Sequence, residues 1–212
     1  LDVRLEQSHL LVYLMGGKLS GSRAWLGSPS SDPVRRALQA LLQTRVTDKR
    51  QAQKTLNEIL SRPTPSWGPR LRARVLGFAS QDPRRRDLAV SRLEEARRLD
   101  PHSPYLLGAL AKTHLSARRH ALALEPAEQA LAMHYAQGHD DRIGNRWETP
   151  WLHASIIEIL TGLERYEEAG AMLDDVFMGT VTGSTALEHL KRFGVLAKLE
   201  QELGRSFGTG RR

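Results

Sequence analysis

The chain contains no cysteine among its 212 residues. Disulfide scaffolds, cysteine-ligated metals and thiol catalysis are therefore excluded, while a reducing cytoplasm and a cysteine-poor periplasm both remain compatible. No run of about 18 apolar residues occurs, so the sequence predicts no transmembrane helix. The start, Leu1–Arg4, shows neither an initiator methionine nor a signal peptide, which indicates a fragment or a processed form. We expect a cytoplasmic location, or a periplasmic one if a signal peptide has been removed.

Aromatic residues are also scarce, at 6% of the chain, whereas alanine, leucine and arginine are abundant. Good helix formers dominate over the β-branched and aromatic residues that sheets favour. Hydrophobic residues make up 40% of the sequence, which is enough to bury a continuous core. The composition therefore predicts an all-α fold.

The most informative pattern is a pair of consecutive 34-residue copies, 70–103 and 104–137, with small and apolar residues at matching positions. Small residues let two helices approach closely, and leucines fill the remaining gaps. The first copy carries Ala73, Leu76, Gly77, Ser80, Ala89, Leu93, Ala96 and Pro101 at these positions. The second carries Leu107, Leu110, Ala111, His114, Ala123, Ala127, Ala130 and Tyr135. This period and pattern resemble the tetratricopeptide repeat, with a generic bundle of helical hairpins as the alternative fold.

The resemblance implies a right-handed α-solenoid of helical hairpins with a C-terminal capping helix, forming a single domain over 1–203. The hairpins are predicted at 3–27, 33–61, 70–103, 104–137 and 150–183, followed by a capping helix at 184–203 and a flexible tail at 204–212. Between the fourth and fifth hairpins, the polar stretch Gly138–Thr149 interrupts the period by 12 residues. Insertions of this kind map to loops, so we expect a loop there.

In the tetratricopeptide family the first helix of each hairpin lines a concave groove that holds a partner peptide or protein segment. The resemblance thus implies a non-catalytic protein–protein interaction module, such as the sensor or scaffold part of a larger bacterial regulator. It names neither the partner nor the oligomeric state. The groove positions carry the partner-binding candidates Arg74, Phe78, Tyr105, Lys112 and Trp151, and also Leu71 and Glu158. Aromatic rings beside cations suit a partner with acidic and apolar side chains.

A carboxylate clamp for acidic chaperone tails is not expected. That version of the repeat requires lysine and asparagine at set groove positions, and this chain has Phe78 and Gly108 at two of them. The partner segment is therefore expected to be of another kind.

Two other functions remain as alternatives. The net charge of +7 and arginines at 70, 72, 74 and 84–86 are compatible with a basic domain that binds nucleic acid. His134, His139, Asp140 and Asp141 are close in sequence, but no spacing typical of a metal site and no catalytic motif accompanies them. We therefore expect no catalytic residue, no metal and no cofactor.

Overall fold

The computed structural model describes residues 33–46, 49–61, 68–82, 86–136, 148–178 and 183–207. All regular secondary structure in these ranges is α-helical, which confirms the all-α prediction for this part of the chain. Its helices are α1 (Pro33–Val46), α2 (Lys49–Leu60), α3 (Pro69–Ala79), α4 (Arg86–Leu99), α5 (Pro104–Ser116), α6 (His120–Ala136), α7 (Glu148–Gly162), α8 (Tyr166–Met178), α9 (Gly183–Arg192) and α10 (Val195–Leu203).

The predicted hairpin at 3–27 lies outside the described residues, as do positions 138–147 of the predicted insertion. The last two residues of that insertion, Glu148 and Thr149, are already helical, because α7 begins at Glu148. The predicted loop is therefore too long by two residues at its C-terminal end.

The chain divides into two compact units. The N-terminal unit extends to Pro101 and contains α1 to α4 among its described residues. Within it, α1 packs on α2, α3 packs on α4, and α3 also contacts both α1 and α2. Leu71, which the sequence assigns to the groove, is only 6% exposed because it packs into the apolar cluster shared by α1, α2 and α3. That assignment is wrong.

The C-terminal unit begins at His102 and contains α5 to α10. Its most extensive helix pair is α5 with α6, and α7 contacts both of these helices. Helix α7 is the centre of the unit, since it also packs on α8, α9 and α10. Its buried isoleucines, Ile156, Ile157 and Ile159, belong to the main apolar core of the unit. An apolar helix at the centre thus holds its neighbours on several sides.

Burial follows the 34-residue period through both sequence copies. Seven of the eight matched positions in each copy are buried. The eighth position is exposed in both, as Pro101 in the first copy and as Tyr135 in the second. The repeated positions therefore occupy equivalent environments in the α3–α4 and α5–α6 hairpins.

Two turns of the C-terminal unit share one backbone motif. Arg118 and Glu164 both adopt the left-handed conformation, with φ of 56° and 61°, after the ends of α5 and α7. In each turn the following N–H donates to a carbonyl five residues back, from Arg119 to His114 and from Arg165 to Leu160. This is a Schellman motif, which satisfies carbonyls at a helix C-terminus. The two turns are 46 residues apart, which equals one 34-residue period plus the 12-residue insertion.

Helix α8 begins beside a short-range ion pair. Arg165 donates from Nε and Nη2 to the two carboxylate oxygens of Glu168, each at 2.6 Å. These hydrogen bonds lower the pKa of Glu168 from its ordinary value. Both side chains are exposed, so the pair orders the turn locally and adds little to global stability.

The C-terminal segment departs from its prediction in two ways. The single capping helix expected at 184–203 is two helices, because Gly194 adopts the left-handed conformation, with φ of 70°, and interrupts it. The tail expected to be flexible from 204 is folded as far as Phe207, which is 8% exposed and belongs to the core of the unit. Its backbone N–H donates to Glu200 Oε1 at 2.9 Å, and Arg205 donates to Asp174 Oδ2 at 2.8 Å. Positions 208–212 lie outside the described residues.

Candidate partner-binding face

The five predicted partner-binding residues fall in both structural units. Arg74 and Phe78 lie on α3 of the N-terminal unit, while Tyr105, Lys112 and Trp151 lie on α5 and α7 of the C-terminal unit. Lys112 is exposed and the other four are half-buried. Only the three residues of the C-terminal unit can be assembled into one site here, because each unit is a separate compact body.

Lys112 and Trp151 meet where α5 contacts α7. The Lys112 ammonium nitrogen lies over the Trp151 ring, 5.6 Å from the ring centroid. Tyr105, Gly108 and Lys112 are spaced by three and four residues, so they follow one face of α5. A Cβ placed on Gly108 would lie 3.6 Å from Trp151 Cζ3, so the ring borders the backbone of α5. Lys112 and Trp151, two of the five predicted partner-binding residues, are therefore in contact, and their assignment to a groove stays a prediction.

The Trp151 side chain packs on an apolar cluster of the C-terminal unit. It packs against the buried cluster of Leu107, Ala130 and Leu152, while part of its surface stays exposed. An aromatic ring held in this way exposes a large apolar area, and its packing already restricts the side-chain rotamer. Little conformational entropy would then be lost when another molecule covers the ring.

Glu158 lies two helical turns after Trp151 on α7. Its Oε2 atom is 3.3 Å from Nε2 of His189 on α9, and both side chains are about three-quarters buried. The His189 ring lies 4.6 Å from the ring of Phe193, and the Arg192 guanidinium carbon lies 5.9 Å from that same ring. A series of polar and aromatic contacts thus links α7 to the end of α9.

His189 and Arg192 of α9, and Phe193 just after it, are not among the residues predicted from the sequence. The leucine stripe predicts one capping helix over 184–203, and a capping helix offers no groove position. The available signal was the adjacent pair Phe193–Gly194, an aromatic residue before a glycine, in the middle of the leucine stripe. That glycine ends α9 and leaves Phe193 57% exposed.

Three arginines of the N-terminal unit contact other residues of the fold. Arg72 Nε donates to Glu95 Oε1 at 2.8 Å, and Arg92 Nη1 donates to the carbonyl oxygen of Ala79 at 3.1 Å. Arg36 lies 3.7 Å from Glu58. Positions 84 and 85 lie outside the described residues. Of the arginines in the predicted basic stripe, Arg72 is therefore paired within the fold.

Of the residues considered as metal ligands, the structure describes only His134. His134 is 3% exposed on α6, and His139, Asp140 and Asp141 lie outside the described residues. Within the ranges that the structure describes, no group of three or more potential ligands is arranged to hold a metal ion. None of the helices in those ranges combines the length and the apolar character that crossing a bilayer requires.

No protein-family model, curated protein or solved structure matches the chain. The first-helix face consists of five residues on α5, α7 and α9, namely Tyr105, Lys112, Trp151, Glu158 and His189.

Proposed function

We propose that the chain is a non-catalytic protein–protein interaction module, and that a segment of a partner protein binds on the first-helix face. The observation that carries this proposal is the half-buried Trp151 ring, held on an apolar cluster and overlaid by the exposed Lys112. Aromatic anchors of this kind, with a cation beside them, supply most of the binding energy in protein interfaces. We expect the partner segment to contact the exposed part of this ring.

The repeat architecture is part of the same proposal. We infer tetratricopeptide-like hairpins that stack as a right-handed α-solenoid. The repeated burial at matched positions and the two Schellman turns support it. So does the contact of α7 with both α5 and α9, since the first helices of successive hairpins are neighbours in such a stack. The module would then serve as the sensor or scaffold part of a larger assembly.

The chemistry of the first-helix face indicates the kind of segment it binds. Trp151 and Tyr105 offer apolar area with polar edges, and Lys112 offers one exposed positive charge. An extended or helical segment with apolar side chains and a carboxylate meets both requirements. Added salt should weaken such a complex only modestly, because it screens the ion pair and leaves the aromatic contacts intact.

The proposal is tested by proximity labelling in the source organism, followed by calorimetry with the partner so identified. Trp151→Ala and Tyr105→Ala should each weaken binding by about 1–3 kcal/mol if they are anchors. Leu122→Ala is the control, because Leu122 is a 57% exposed apolar residue on α6, outside the first-helix face. Equal affinities for wild type, Trp151→Ala and Tyr105→Ala would remove the first-helix face as the binding site.

The alternative function is nucleic-acid binding, which the net charge of +7 favours. It predicts binding to duplex DNA or single-stranded RNA that falls steeply with salt, because phosphate contacts release counterions. A mobility-shift titration at several salt concentrations separates the two functions. Tight, steeply salt-dependent binding that survives Trp151→Ala would favour the nucleic-acid function.

A further inference from the structure

Phe193 is a large apolar side chain that the fold leaves in solvent. It is 57% exposed at the end of α9, although the next residue but one, Val195, is 7% exposed and belongs to the core. The left-handed Gly194 separates the two and directs the chain into α10. Burial in this fold therefore does not account for an aromatic residue at position 193.

The surroundings of Phe193 tie it to the first-helix face. Its ring lies 4.6 Å from the ring of His189, which in turn contacts the Glu158 carboxylate of α7 at 3.3 Å. Glu158 follows Trp151 by seven residues, which is about 10 Å along the helix axis. The exposed ring of Phe193 is thus continuous, through two contacts, with the helix that carries the proposed anchor.

The two aromatic sites have the same local chemistry. Lys112 lies over the Trp151 ring at 5.6 Å, and Arg192 lies over the Phe193 ring at 5.9 Å. Both cations lie at or near the surface. Within the described part of the chain, no carboxylate forms an ion pair with either of them. The nearby carboxylates are already engaged, Glu158 with His189 and Glu188 with Lys191 at 3.8 Å.

We propose that Phe193 is a second anchor of the binding surface, and that the partner is a segment with two apolar side chains, each next to a carboxylate. Each aromatic ring contacts an apolar side chain of the partner, and the cation beside it forms an ion pair with the neighbouring carboxylate. Lys112 and Arg192 thus supply two positive charges that complement the two carboxylates of the segment. This inference rests on the proposed function and names the class of segment that the same surface selects.

The test uses fluorescence anisotropy with the full chain and a fluorescein-labelled peptide of two Asp-Glu-Phe-Leu blocks joined by a Gly-Ser-Gly-Ser spacer. The amide counterpart, with Asn-Gln in place of Asp-Glu, reports the contribution of the carboxylates. We expect the acidic peptide to bind about tenfold or more tightly than the amide peptide. Phe193→Ser should weaken its binding about tenfold, and Arg192→Gln should reduce the preference for the acidic peptide.

Leu122→Ser is the matched control. Leu122 on α6 is 57% exposed, as Phe193 is, and lies outside the first-helix face, so its variant should bind the acidic peptide like wild type. Thermal unfolding of both serine variants separates a binding effect from a folding effect. Because both side chains are more than half exposed, neither substitution should lower the unfolding temperature appreciably.

The outcomes distinguish this inference from the function on which it rests. Loss of binding in Trp151→Ala together with unchanged binding in Phe193→Ser would overturn the second anchor and leave the proposed function standing. Equal binding of the acidic and amide peptides would overturn the assigned partner chemistry. Failure of the acidic peptide to bind wild-type protein would overturn the inference as well. This holds even if the binding of a native partner depends on Trp151.

Discussion

The α3–α4 and α5–α6 hairpins share one burial register but are joined by different chemistry. In the first, Arg72 on α3 donates to Glu95 on α4 at 2.8 Å. The positions 34 residues later hold Leu106, which is 2% exposed, and Gln129, which bonds within its own helix to Glu125. An interhelical ion pair is thus replaced by apolar burial. The period specifies which positions face the partner helix, and the residue at each position decides what holds the helices together.

Volume is also redistributed between the two hairpins. Leu93 in the first and Ala127 in the second occupy matched positions and are 1% and 0% exposed. Ser80 in the first corresponds to the much larger His114 in the second, and both are buried. A smaller residue at one matched position therefore coincides with a larger one at another, as close packing at a fixed helix spacing requires.

The predicted groove positions differ even more. Arg74 and Phe78 on α3 correspond to Gly108 and Lys112 on α5. At the first pair a half-buried arginine is replaced by a buried glycine, and at the second a half-buried phenylalanine is replaced by an exposed lysine. At these two positions neither residue type nor burial follows the 34-residue period.

The largest expected effect is the loss of a buried leucine from the first hairpin. Leu93→Ala makes this position identical to the second hairpin but leaves a cavity, since the neighbours are arranged around a leucine. We expect the free energy of unfolding to fall by about 2–5 kcal/mol, measured by urea titration followed by circular dichroism. Leu122→Ala, at an exposed position, should change it by about 0.5 kcal/mol or less. An unchanged free energy of unfolding for Leu93→Ala would show that the first hairpin packs equally well around an alanine at this position.

The reverse substitution should be harmful too. Ala127 is 0% exposed, so Ala127→Leu forces additional carbons into a filled helix crossing. We expect destabilisation of about 1–3 kcal/mol, seen as a lower thermal midpoint. A raised midpoint would mean that the second hairpin contains unfilled space where the first contains Leu93.

Two glycines of the C-terminal unit should respond in opposite directions. A Cβ at Gly162 would lie 2.5 Å from the rigid His120 ring, so Gly162→Ala should destabilise the fold by about 1–3 kcal/mol. A Cβ at Gly108 would meet Trp151 and Leu152 only at 3.6 Å, an ordinary contact. Gly108→Ala should therefore stabilise α5 by about 0.5–1 kcal/mol. Differential scanning calorimetry checks both. Adding His120→Ala should restore part of the Gly162→Ala loss, and no rescue would mean that the ring is not the obstacle.

Periodic burial could be predicted from the sequence because it depends on residue size at fixed spacing. Ala73, Ala89, Ala111 and Ala123 were identified in this way, and all four are buried. The break at Gly194 has only the pair Phe193–Gly194 as a signal in the sequence, because the leucines on either side keep a helical stripe. The left-handed backbone of Gly194 is what shows the turn. Phe207 is buried through a contact near Gly170, far away in sequence, and no local pattern reports such a contact.

The candidate site was predictable only in part, for a related reason. Lys112 and Trp151 each stand at a predicted groove position of their own hairpin, and their contact follows from the packing of α5 against α7. His189 and Phe193 could not be predicted, because the contact of His189 with Glu158 and that of Phe193 with His189 depend on how α9 packs and where it ends. The position of a residue within a repeat can be inferred from the residues near it in sequence. Which residues border the surface depends instead on where the last helices begin and end.

The smallest expected effect concerns the ion pair that distinguishes the two hairpins. Arg72→Leu and Glu95→Gln, singly and together, place the residues of the second hairpin into the first. Both side chains are 35% exposed, so solvent screens the pair, and the double-mutant cycle should give a coupling of about 0.2–1 kcal/mol.

Urea titrations of wild type and the three variants, at low and at high sodium chloride, measure this coupling. It should shrink at high salt, because counterions screen partly exposed charges. The same cycle at Leu106 and Gln129, with Leu106→Ala and Gln129→Ala, should show no such salt dependence. A coupling at Arg72 and Glu95 that stays constant with salt would mean that the Arg72 side chain stabilises α3–α4 through packing of its aliphatic stem. The two hairpins would then be held together by the same kind of contact after all.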